Sequence, residues 1–93
     1  MAFSVVETTR FRRDFEGIAR RNRDVLHITW EVKGILSADP YNLSHQFKIK
    51  KLTDISFGDG QWRIRIKHYR IRYDISGKEV ILHSIKPRKD AYH

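Results

Sequence analysis

The sequence contains no cysteine, only two prolines and one methionine, and no apolar run approaching the ~18 residues that a membrane-spanning helix needs. Without cysteine there is no disulfide, no thiolate nucleophile and none of the sulfur ligands of common zinc sites. Met1 to Glu7 has neither a long apolar stretch nor a cleavage-site pattern, so the expectation is a soluble, cytoplasmic protein with no membrane attachment. Acidic side chains are scarce as well. Eleven Asp and Glu stand against 19 Lys and Arg, a formal charge of +8 in 93 residues. A chain of this length is expected to form one domain, 1–93, burying roughly 60% of the surface its unfolded form exposes. The cationic excess favours a polyanionic partner. Nucleic acid is preferred to an anionic membrane because the basic residues lie mainly among strand-like segments, not on a helix with an apolar keel.

The charge is concentrated where apolar residues alternate with arginines, in the run from Gln61 to Ser76, QWRIRIKHYRIRYDIS. Successive strand residues point to opposite faces, so Trp62, Ile64 and Ile66 share one side of a first strand while Arg63, Arg65 and Lys67 share the other. A second strand repeats the pattern, with Tyr69, Ile71, Tyr73 and Ile75 opposed to Arg70 and Arg72. One face suits a core and the other is a cationic plate. Trp62, Tyr69 and Tyr73 are accordingly read as core residues and not as platforms for stacked bases. Like charges held at strand spacing repel, and a visiting polyanion would relieve that cost.

The remaining periodicities predict a small α+β fold of order β-α-α-β-β-β, a helical hairpin packed on one face of a twisted, mainly antiparallel sheet. Phe3 to Glu7 reads as a strand. Thr8 or Thr9 caps a helix with Phe11, Phe15, Ile18 and Ala19 inward, and Asn22 or Asp24 caps a second with Val25, Ile28, Val32, Ile35 and Leu36 inward, ending before Asp39-Pro40. Tyr41 to Phe57 reads mostly as loop, with a basic knot at Lys48, Lys50 and Lys51. Lys67-His68 and Ser76-Gly77-Lys78 are reversals, and Glu79 to Ile85, apolar on both faces over most of its length, reads as an interior strand. His27, His45 and His83 are read as ordinary surface or strand residues, and the basic first helix as a solvated face.

After the last strand come Lys86, Pro87, Arg88, Lys89, Asp90, Ala91, Tyr92 and His93. Folded back, this tail would let Arg63, Arg65, Arg70, Arg88, Tyr92 and His93 surround one phosphate. The order of a Lys51-Leu52 step, WRIRI, a tight turn, YRIRYDI, a short hairpin, an apolar strand and PRKDAY resembles the RelE/ParE superfamily of toxin-antitoxin toxins over nearly the whole chain. The resemblance implies that fold, a cognate antitoxin as partner and, in its RelE branch, a ribonuclease that enters the ribosomal A site and cuts messenger RNA. It also implies that Arg63, Arg65, Arg70, Arg88 and Tyr92 form the catalytic set. Two departures are Pro87, where relatives often have glycine or histidine, and the sequence ending one residue past Tyr92, from which no C-terminal helix is expected.

Such chemistry calls for no cofactor and no metal, since the RNA 2′-hydroxyl is the nucleophile and guanidinium groups neutralise charge building on phosphorus. A phenol titrates near 10 in water and is shifted down by surrounding positive charge, which makes Tyr92 a candidate base, with His68 and His93 as further proton carriers. Lys48, Lys50, Lys51, Lys86, Lys89 and Arg72 are secondary RNA contacts, although Arg72 alone is read as a solvated residue able to pair with Asp74 or Glu79. The alternatives are the ParE branch, whose members bind and poison DNA gyrase, and an RNA-binding module without activity.

Overall fold

The computed structural model describes residues 2–88; Lys89, Tyr92 and His93 lie outside the described residues. The elements run β1 (Ser4–Glu7), α1 (Thr9–Ala19), α2 (Asp24–Ala38), β2 (Lys48–Lys51), β3 (Trp62–Ile66), β4 (Tyr69–Ser76) and β5 (Glu79–Pro87). They form one five-stranded sheet of order β1-β5-β4-β3-β2, antiparallel except for the β1–β5 pair. The α+β architecture with its helical hairpin is the one expected, with one added strand. Lys48–Lys51, read as loop, is an edge strand. Its single apolar residue, Ile49, gives no alternation to detect, and lysine-rich, short strands are how sheets terminate without inviting further pairing. None of the helices among the described residues is long and apolar enough to cross a membrane.

Inward stripes of the two helices meet the apolar face of the sheet. Phe11, Val25, Ile28, Val32 and Leu36 pack with Ile64, Ile71, Tyr73, Leu82 and Ile85, all buried. Each such side chain contributes on the order of 1.5–3 kcal/mol. Trp62 lies between Tyr41 and Tyr73, and Asn22 donates to the Tyr69 hydroxyl, so these aromatics serve packing as the alternation indicated. Tyr73 Oη donates to Pro40 O at 2.7 Å, and burial, helped by the Asp39 carboxylate, pushes its phenol upward, which keeps it neutral.

Thr8 determines where α1 starts relative to the sheet. Its Oγ1 accepts from Phe11 N at 3.1 Å, capping the helix, and donates to Leu82 O at 3.0 Å, while its backbone N–H also donates to Leu82 O. Thr8→Ala is expected to cost about 1 kcal/mol in a urea unfolding titration; a loss within error would mean that neither bond contributes net stability.

Candidate functional site

Strand register turns the alternation into a grid. Arg63 stands directly opposite Arg72 and Arg65 opposite Arg70; β2 adds Lys50 beside Arg63 and Lys48 beside Arg65, and β5 adds Ser84 beside Arg72 and Lys86 beside Arg70. Two rows therefore cross the sheet on the face away from the helices: Lys48, Arg65, Arg70, Lys86, and Lys50, Arg63, Arg72, Ser84. Directly opposed like charges destabilise a sheet. The strain is concentrated at Arg63, whose guanidinium is held below its ordinary value by burial and then by the charges of Arg70, Arg65 and Arg72. Its Nε is buried and has no hydrogen-bond partner among the described residues.

Over these rows lies a cavity of about 240 Å³ into which Arg63, Arg70, Arg72, Lys86 and Arg10 project, with Leu52 and Ser84 completing the wall. Among the described residues no acidic side chain lines it. Its volume falls below the ~300–1,000 Å³ of pockets that enclose a whole small molecule, which suits a phosphate group with the rest of its chain left outside.

Arg10 and Leu52 are the members that sequence reasoning missed. Strand β1 pairs only with Glu79 to Leu82, so among the described residues the half of β5 bearing Ser84 and Lys86 has no strand on that side, and the first turn of α1 begins there. Arg10 reaches the cavity by this route. Nothing in its helical spacing distinguishes it from Arg12 or Arg13, because only the tie of Thr8 to Leu82 selects it. Leu52 follows β2, with its N–H on Gln61 O at 2.8 Å; the Lys51-Leu52 step was the available signal.

Other predicted residues fall elsewhere. Arg65, Lys48 and Lys50 share the cationic face but stand outside the cavity lining. Lys51 lies on the opposite face, with Nζ 5.8 Å from the Trp62 ring centroid, because β2 pairing puts it opposite Trp62. His68 is exposed on the Lys67-His68 turn, where Lys67 has φ +51°, and the backbone N–H of Arg88 donates to His68 O. Arg88 is exposed at the end of β5 and does not line the cavity.

Arg72 does not pair with Asp74 or Glu79. Its Nε and Nη2 donate to Gly60 O at 3.0 and 2.9 Å. Asp74 is engaged by the loop before β3: Oδ2 accepts from Gly58 N and Gly60 N at 2.8 and 3.2 Å, and Oδ1 from Gln61 N at 2.8 Å. A bulge between Arg72 and Tyr73 leaves His83 as the extra residue of β5, bringing its Nε2 within 2.8 Å of Asp74 Oδ2. Burial would raise the Asp74 carboxyl, yet the three backbone donors and then the charge of His83 more than offset it, and the group titrates below its usual range.

No family model matches the chain, and no curated protein matches it. Solved structures do. It superposes on a chain of the RelBE2 toxin-antitoxin complex from Mycobacterium tuberculosis with a TM-score of 0.73 and 23% identity, covering 95% of this chain and 100% of that one. For the archaeal RelE-RelB complex from Pyrococcus horikoshii the TM-score is 0.71 at 22% identity, covering 95% and 97% of the two chains. For the RelB-RelE antitoxin-toxin complex from Methanococcus jannaschii it is 0.61 at 22% identity, covering 94% of each. The chain therefore shares its fold with chains of these three complexes.

Proposed function

We propose that this protein is the toxin of a toxin-antitoxin pair, a single cytoplasmic domain that cuts messenger RNA on the ribosome. The observation carrying the reading is the cavity in which five cations, Arg10, Arg63, Arg70, Arg72 and Lys86, converge. The RNA 2′-oxygen attacks the adjacent phosphorus, the bond to the 5′-oxygen breaks, and the charge that develops on the non-bridging oxygens is met by guanidinium groups already in position. Little reorganisation is needed, because the sheet holds them. Arg65, Lys48 and Lys50 continue the cationic track along the backbone of the message. Arg88 adds a phosphate contact, Tyr92 takes the 2′-proton, and His93 or His68 protonates the leaving oxygen. Neither metal nor cofactor enters the reaction.

A cognate antitoxin fits the other side of the molecule. A groove of about 760 Å³ between α2 and β1 is lined by Phe3, Val5, Trp30, Ile35 and Phe47, and Trp30 is 73% exposed. An apolar segment of the antitoxin seated there would bury that surface.

In a purified translation system the protein is expected to cut message at the A-site codon, as read by primer extension. Cutting should persist in EDTA, stop when the nucleotide 5′ to the scissile phosphate is 2′-deoxy, and weaken steeply with salt as phosphate contacts release counterions. Intact message together with arrested DNA supercoiling would overturn this reading in favour of gyrase poisoning. Binding of RNA without cleavage would leave only a binding module.

A further inference from the structure

We infer that Asp74 is a positioning residue for the cavity, acting on Arg72 through the loop at 58–61; the inference rests on the cavity being the phosphate site. Asp74 lies on β4 two residues beyond Arg72 and on the same face, yet it is wholly buried and turned into the loop. Its two oxygens collect the N–H groups of Gly58, Gly60 and Gln61, which leaves the Gly60 carbonyl directed at Arg72.

The order of the relay is thus buried carboxylate, loop amides, one carbonyl, guanidinium. Its purpose follows from the register. Arg72 faces Arg63 across β3 and β4, and an untethered guanidinium would swing outward to escape that charge. Two donated hydrogen bonds to one carbonyl hold the fork by its Nε and Nη2 atoms, leaving the remaining N–H groups for a ligand at small entropic cost. Gly60 is built for the same contact. It has φ +83°, and a Cβ there would come within 2.8 Å of the Arg72 Cβ, so the loop backbone lies directly against the arginine stem.

The test is a double-mutant cycle on the affinity for a short 2′-O-methyl RNA, which binds but cannot be cut, measured by calorimetry at fixed salt. Arg72→Ala and Asp74→Asn are each expected to weaken binding about tenfold, and the double variant to bind no more weakly than Arg72→Ala alone. A lowered melting temperature is expected in both backgrounds in either case, because Asp74 also braces the loop; a purely structural Asp74 would have absent or additive effects on affinity, and either of those overturns the relay. Arg63→Ala in the same series separates the two readings. Unchanged binding there sinks the phosphate site itself, whereas a loss there with none in Asp74→Asn sinks only the relay. Should Asp74→Asn fail to fold, NMR of the wild-type protein decides: a slowly exchanging Arg72 Nε–H supports the tether, and exchange at the rate of a solvated arginine refutes it.

Discussion

Arg63→Met is expected to make the protein more stable and nearly inactive. The arginine sits at the centre of the grid, flanked by Lys50 and Arg72, with its charge disfavoured by burial and by Arg70, Arg65 and Arg72. Methionine keeps an unbranched stem against the sheet and removes both the repulsion and the unpartnered buried Nε. Solvent at the cavity mouth screens part of the effect, so the gain is on the order of 1 kcal/mol or less, a rise of a few degrees in melting temperature. Cleavage should fall about 10²–10³-fold, the loss typical of removing one preformed donor to a developing oxyanion. Thermal unfolding and primer extension on the same preparation check both halves. A variant that is less stable and still active would mean that Arg63 is a packing residue whose charge is incidental. Opposite signs for stability and activity are the mark of a site whose charges are assembled against their own repulsion.

The second large effect concerns acid. Asp74 titrates below its usual range in the folded protein, against about 3.9 in an unfolded chain. At neutral pH both states carry the ionised carboxylate and its bonds contribute in full. As pH falls below the unfolded value, the unfolded chain takes up the proton first, and the contribution disappears as pH passes through the folded value. Asp74→Asn, which cannot accept at both oxygens, is therefore expected to lose about 1–3 kcal/mol at pH 7 and progressively less relative to wild type below pH 4. Denaturant titrations across pH 3 to 7 measure this. A constant difference across that range would count against the carboxylate as the source. Some acid sensitivity should survive in the variant, because Glu7 is also shifted down. Burial opposes that shift, and Lys33 at 2.6 Å and Arg12 at 2.8 Å outweigh it.

The two classes of residue in these predictions differ in how visible they are in the chain. Arg63, Arg65, Arg70 and Arg72 declare themselves because a strand has a side-chain period of two, and four arginines in that period beside isoleucines and tyrosines can occupy only one face. The helices are equally plain, since Val25, Ile28, Val32, Ile35 and Leu36 recur at helical spacing and Pro40 bars continuation. Strand β2 was missed because one isoleucine among three lysines carries no periodic signal. Asp74 was visible only as a possible partner for Arg72. Its actual ligands are backbone amides 13 to 16 residues earlier, and amides have no residue identity to read.

By itself, then, the sequence determined that this protein has a cationic sheet face and an apolar one, and that two helices must cover the latter. These are local consequences of side-chain period and charge. Tertiary structure decided which cations meet. Arg10 joins Arg63, Arg70, Arg72 and Lys86 because β1 is too short to cover the end of β5, and Lys51 is turned away by one residue of register. Convergence of that kind depends on pairings between segments far apart in the chain, and no spacing within a segment encodes them.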